Sequence, residues 1–276
     1  MHLNCRDLVL SSGGRQLCED RVLVRPSLAA VIDGATQVVP DAPVPSPSEG
    51  TWIADLIMRG LLELEGSTTD PRALLCRLSR RIASELEALR WPAERVPPVC
   101  SIGILLIRDD HLAAAILGDI SLIYRNRASG RTVRVFNGQF LQNERAAFKS
   151  QDTADPQRRH AQIQGILERR KLYIDGMSGA GILSANESSV RTAICSSGIQ
   201  AGDGDALLLA SDGFMRLLDL YSVVQTVDDL FSRALRPGGL GGLLELLRGH
   251  ESVRTIQSDA HKQTDDAAAA LVEVVA

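Results

Sequence analysis

Between residues 52 and 89 apolar residues return at three- and four-residue steps, and on both sides of that stretch the period shortens to two. Trp52, Ile53, Leu56, Ile57, Leu61 and Leu64 share one face of a helix, and Leu75, Leu78, Ile82, Leu86 and Leu89 share one face of a second. The run SPSE (Ser46 to Glu49) has capping-box spacing with Pro47 at the first helical position, which predicts that the first helix starts there. Asp70 followed by Pro71 predicts the start of the second. Upstream, DLVLSSGG, DRVLVRPS and LAAVIDGA are short apolar or alternating runs broken by Gly, Pro or Ser, the pattern of strands joined by turns. Downstream, VCSIGILLIRDD, HLAAAILGDI, SLIYRNR and RTVRVFNG predict a meander of antiparallel strands.

From about Asn137 to Asn186 the pattern weakens into a polar, Arg-rich stretch, which reads as an inserted flap or lid; its clusters RRH (Arg158 to His160) and RRK (Arg169 to Lys171) are candidate contacts for acidic or phosphorylated substrates, against the plainer reading of a solvated helix face. Strand character returns in RTAICSSG and DALLLASDG, helical character in TVDDLFSRAL and GLGGLLELLRGH, and AAAALVEVVA supplies a last strand. Strands, helices, a meander, more helices and a final strand argue for an α+β fold of mostly antiparallel sheets. With 276 residues, a single domain over 1–276 is expected.

The formal charge of −4 supplies no basic field to hold nucleic acid or an anionic membrane. The sequence shows no apolar run long enough to span a bilayer and no secretory signal layout, so a cytoplasmic protein is expected. Its five cysteines are scattered without a C-x-x-C pair, which predicts reduced thiols and argues against a zinc site.

Chemistry enters where apolar strands end on acids. LLLASDGF stops at Asp212, AVIDGA at Asp33 and AILGDI at Asp119, while Glu19 and Asp20 precede one strand and Asp265 and Asp266 another. Asp-Gly is by itself a common turn dipeptide. Taken together, these acids would converge at sheet edges without matching Lys or Arg, and such a cluster is tolerated when a cation binds it. Hard oxygen donors select Mg²⁺ or Mn²⁺.

The motifs CED, VIDGA, LGDI, ASDG and TDDAAAALVEV, in that order over almost the whole chain, resemble the metal-dependent type 2C protein phosphatases, the PPM family. The resemblance implies a four-layer α/β/β/α sandwich and hydrolysis of phosphoserine or phosphothreonine in a protein by a hydroxide bridging two Mn²⁺ or Mg²⁺ ions. It implies that Asp33 bridges the metals, that Glu19 and the Gly34 carbonyl hold one, and that Asp212 and Asp265 hold the other. Asp119 would contribute to a weaker third metal, Arg15 would grip the substrate phosphate, and a serine/threonine kinase would be the opposing partner.

The sequence also departs from the family's pattern. Ala35 stands where many members carry a His that assists the leaving group, Ile120 replaces the usual Ser after Asp119, and Ala268 replaces a common Thr. The ligand positions are spared, so a slow or divergent phosphatase is expected. The competing readings are a pseudophosphatase that binds or regulates a partner, and a two-metal phosphatase of small phosphorylated metabolites.

Overall fold

The computed structural model describes residues 1–14, 16–68, 70–108, 111–126, 129–148, 156–255 and 264–276. In chain order the strands and helices are β1 (His2–Ser11), β2 (Asp20–Arg25), β3 (Leu28–Gly34), α1 (Glu49–Leu64), α2 (Pro71–Ala88), β4 (Cys100–Arg108), β5 (His111–Leu117), β6 (Ser121–Arg125) and β7 (Thr132–Val135). There follow α3 (Gly138–Phe148), α4 (Pro156–Ile174), two 3₁₀ turns (Met177–Gly179 and Glu187–Thr192), β8 (Ile194–Ile199), β9 (Ala206–Ala210), α5 (Asp212–Asp219), α6 (Val227–Ala234), α7 (Gly239–Thr255) and β10 (Ala267–Val275).

The strands form two five-stranded sheets, β1-β10-β9-β6-β7 and β2-β3-β4-β5-β8, antiparallel throughout. Side-chain alternation sets the layers. On β3, Leu28, Ala30 and Ile32 pack against α1 and α2, whereas Ala29 and Val31 face the other sheet. On β10, Ala268, Ala270, Val272 and Val274 fill the space between the sheets, and Ala267, Ala269 and Leu271 turn outward to α5, α6 and α7. The result is the expected α/β/β/α sandwich.

Two local expectations are corrected. Helix α1 begins two residues later than SPSE suggests, with Ser48 as its cap: the Ser48 Oγ accepts from the Thr51 N–H at 3.0 Å and donates to Glu19 Oε1 at 2.7 Å, so a tertiary partner fixes which serine caps. The meander is also divided. Strands β4 and β5 belong to one sheet and β6 and β7 to the other, because the chain changes sheets over residues 118–120. Gly118 makes that crossing at φ +87°, where a Cβ would lie 2.1 Å from the Ser101 Oγ.

Within the expected insertion of about 137–186, the described residues form α3, α4 and the two 3₁₀ turns, gathered on a small apolar cluster of Val96, Val99, Phe140, Tyr173, Ile174, Ala180 and Ile182. Residues 149–155 of that stretch lie outside the described residues. All five cysteines are free, and no helix among the described residues is long and apolar enough to cross a membrane.

Candidate active site

Strand register explains why the acids meet. Asp20 stands directly opposite Asp33 at the end of β2 and β3, and Ser101 pairs with Asp33 from β4. At the same end of that sheet β5 finishes at Leu117 and the chain crosses through Asp119 to Ser121. Ser121 in turn pairs with Ala210, and Ala269 with Ala210, so that β9 runs out into Asp212 beside the start of β10 at Asp265 and Asp266. Every acid named lies at one mouth of the sandwich.

Hydrogen bonds stitch this mouth together. The Ser211 Oγ donates to Asp20 Oδ2 at 2.9 Å and accepts from the Ala268 N–H at 2.9 Å, joining the two sheets. Asp266 Oδ2 accepts from the Glu19 N–H at 2.6 Å. Gly213 comes so close to β10 that a Cβ would sit 1.8 Å from the Asp266 carbonyl oxygen, which fixes glycine after Asp212. Arg134 clamps the far end of α5 with a bidentate pair to Asp219 at 2.7 and 2.6 Å and a bond to the Ser121 Oγ at 3.0 Å.

The electrostatics record the crowding. Burial first, then the charges of Asp20, Asp212, Asp119 and Asp265, push the Asp33 carboxyl well above the usual range. Asp20, 1% exposed, is pushed up by burial and by Asp266, against an opposing bond from Ser211. Asp119 is pushed up to about 7 by burial and then by Asp212, with Ser101 opposing and Glu144 of α3 adding. The Oδ1 atoms of Asp20 and Asp119 are buried without a hydrogen-bond partner among the described residues.

Compared with solved structures, the chain matches the Mycobacterium tuberculosis serine/threonine phosphatase PstP/Ppp with a TM-score of 0.62 and 15% identity over 100% of both chains. It matches PppA, a key regulatory component of T6SS in Pseudomonas aeruginosa, with a TM-score of 0.61 and 16% identity over 99% of this chain and 98% of that one. It also matches the PPM Ser-Thr phosphatase MsPP from Mycobacterium smegmatis, solved with cacodylate, with a TM-score of 0.60 and 15% identity over 97% of each. The chain has the PPM phosphatase fold. No protein-family model and no curated protein sequence matches it.

On this PPM fold the expected site residues separate into groups. Asp33, Asp119, Asp212 and Asp265 come together, joined by Asp20 and Asp266, to which the resemblance assigns no role. Asp20 was legible from register alone, since residues opposed in an antiparallel pair share a face. Glu19 is buried and engaged by hydroxyls, its Oε1 by Ser48 and its Oε2 by Thr36 at 2.8 Å. Gly34 closes β3, its N–H donating to the Glu19 carbonyl at 3.0 Å. Arg15 lies outside the described residues. Of the RRK cluster, Arg170 reaches the rim of the site and donates to the Thr36 carbonyl at 2.6 Å.

A cation that sequence reasoning missed also stands here. Arg216, four residues after Asp212 on α5, donates to Asp265 Oδ2 at 2.5 Å. Helical spacing places Arg216 and Asp212 on one face, the signal that could have found it.

The donor set fits divalent metal in its chemistry: carboxylate oxygens, among them the Oδ1 atoms of Asp20 and Asp119 that find no donor among the described residues, around an Asp33 whose ionisation its neighbours oppose. The side chains are not gathered around one point, since among the described residues no three His, Cys, Asp or Glu side chains stand in ligating geometry. At Asp265 the ion pair with Arg216 occupies an oxygen that a metal would use.

Proposed function

We propose that the chain is a metal-dependent phosphomonoester hydrolase that removes phosphate from phosphoserine and phosphothreonine in proteins. The observation that carries this reading is the convergence of Asp20, Asp33, Asp119, Asp212 and Asp265 at one mouth of a PPM fold. PstP, a protein of the same fold, has been solved with two manganese ions on its catalytic domain. By the resemblance, Asp33 would be shared between two Mn²⁺ or Mg²⁺ ions, with Glu19 and the Gly34 carbonyl on one and Asp212 and Asp265 on the other. Asp119 would serve a weaker third. When bound, the ions supply an activated water near neutral pH and positive charge for the phosphoryl oxygens. The chain's own groups orient and neutralise. Ser211 and the Glu19 N–H hold Asp20 and Asp266 in place, and Arg170, with Arg15 as the second candidate, meets the anionic substrate at the rim. The setting would be cytoplasmic, opposite a serine/threonine kinase.

The test is turnover of an aryl phosphate by the metal-stripped chain with and without Mn²⁺, followed by panels of phosphopeptides and phosphorylated metabolites. Metal-dependent release that extends to phosphopeptides supports the reading, release confined to metabolites redirects it, and full activity in excess EDTA overturns it. A pseudophosphatase is the second reading, favoured by the Arg216–Asp265 ion pair and by Ala35. Absence of turnover despite metal binding would establish it.

A further inference from the structure

Arg216 is built into the acid mouth rather than passing by it. Its side chain is 12% exposed, and its Nη2 lies 2.5 Å from Asp265 Oδ2. On the other side its Nη1 is 3.8 Å from Oε1 of Glu251, a carboxylate 1% exposed on α7. Glu251 is anchored in turn by Arg248, at 2.6 Å to its Oε2, and Arg248 bonds the Ser11 hydroxyl at 3.1 Å and the Ser11 carbonyl at 3.2 Å on β1. The guanidinium therefore sits between two buried carboxylates in a chain of ion pairs that runs from the mouth to the edge of the sheet. The fork is hydrogen-bonded to Asp265 and faces Glu251 by charge alone, so its departure for solvent would strand Asp265, while Glu251 would keep Arg248.

We propose that Arg216 is a tethered cation that competes with divalent metal for Asp265, so that the mouth fills in two unequal steps. The first ion enters at the Asp33 and Asp119 side, where no ion pair with an arginine is formed among the described residues. The second reaches Asp265 only when Arg216 swings onto Glu251 alone. This rests on the metal reading above and adds a control to it: the Asp265 end of the site is closed by the chain itself and opens at the expense of an internal ion pair. A like charge within about 4 to 6 Å shifts the binding of a proton by about 1 to 3 pKa units. Its removal should therefore tighten the second ion by about tenfold or more.

The experiment counts Mn²⁺ bound to the full chain, stripped with chelator and dialysed, by calorimetry and by the paramagnetic signal of free Mn²⁺. Wild type should bind one ion at least about tenfold more tightly than a second. In Arg216→Gln the second should tighten by about tenfold or more, and in Arg216→Gln/Asp265→Asn that gain should vanish because the ligand is gone. Equal affinities in wild type and Arg216→Gln overturn the proposal, as does a gain that survives loss of Asp265. Should Arg216→Gln fail to fold, wild type alone decides. The ¹⁵Nε resonance of Arg216, assigned by its absence in Arg216→Lys, should move with the second equivalent of Mg²⁺ and stay still through the first, and movement with the first overturns the proposal. If no ion binds to any variant, the metal reading itself has failed; if two bind alike to all of them, that reading stands and the competition alone is refuted.

Discussion

Asp119→Asn should stabilise the metal-free protein above about pH 4, where the unfolded chain ionises this carboxyl, and not below it. In the fold this carboxyl is pushed up to about 7, chiefly by burial and then by Asp212, whereas in an unfolded chain it titrates near 3.9. The folded state thus holds the proton more tightly than the unfolded state. Its contribution is complete below about pH 4 and is lost as pH rises through 7, because the unfolded chain ionises freely and the folded one does so under strain. A shift of about three units corresponds to roughly 4 kcal/mol. Asp212 shares the field, so the swing assignable to one residue is smaller, about 2 kcal/mol. Asparagine keeps the shape, removes the charge and leaves the Asp119 N–H bond to the Ser101 Oγ in place. Urea unfolding in EDTA, followed by circular dichroism at pH 4, 6 and 8, should show the variant more stable by about 2 kcal/mol at pH 8 and equal to wild type at pH 4. Saturating Mn²⁺ should erase or reverse the gain. A variant that is no more stable at pH 8, or equally favoured at pH 4, would refute the electrostatic account of this site.

Asp33→Asn and Asp212→Asn should each lower Mn²⁺-dependent aryl phosphate turnover by about a hundredfold or more while leaving the circular dichroism spectrum unchanged, since Asp33 stands at the end of β3 and Asp212 at the start of α5, both outside the apolar clusters. Ser48→Ala removes the cap of α1 and a donor to Glu19 together and should cost about 1–2 kcal/mol in urea unfolding. Aryl phosphates should turn over well and serine phosphopeptides slowly, because no acid occupies position 35 and such an acid is worth about a hundred- to ten-thousandfold for a poor leaving group. Ala35→His should not repair this: Ala35 packs against the cluster of Val99, Phe140 and Tyr173, so an inserted ring should destabilise by about 1–3 kcal/mol, read from the melting midpoint.

The sandwich was legible because its elements carry strong periods. Residues 52, 53, 56, 57 and 61 of the first predicted face are all buried on α1, as are 75, 78, 82 and 86 on α2. Sheet membership was not legible. Alternation reports that a segment is a strand with an inside and an outside, and the three residues between β5 and β6 look like any hairpin turn although they cross from one sheet to the other. The start of α1 was misplaced because Ser46 and Ser48 are equally good caps locally and only Glu19, distant in sequence, chooses between them. Helices α3 and α4 escaped because their buried set, Phe140, Tyr173 and Ile174, is too sparse to print a period on a polar stretch. The acids were legible as strand ends. Arg216 was missed: its helical spacing from Asp212 put it on the face of the site, but nothing local announces the carboxylate from the start of β10 that it reaches.

That hidden arginine is where the enzyme and the binding module part company. The sheets bring strand ends to one mouth whatever residues occupy them, so topology accounts for the meeting and sequence for its charge. Packing alone gives no reason for carboxylates there, because Asp20 and Asp119 each bury an oxygen without a donor among the described residues and Asp33 ionises against four neighbours. A cation relieves all of them at once. Arg216 is paired with Asp265, and it holds that acid with a charge that cannot be titrated away at physiological pH. An arginine that yields Asp265 to a metal leaves a phosphatase with a gated second ion. One that never yields leaves a mouth with fewer ions than in-line phosphoryl transfer between two metals requires, and the PPM fold then serves to hold a partner. Position 35 cannot draw this line, since its loss slows one step for one class of leaving group, whereas the guanidinium at Asp265 determines whether the two-ion site can form.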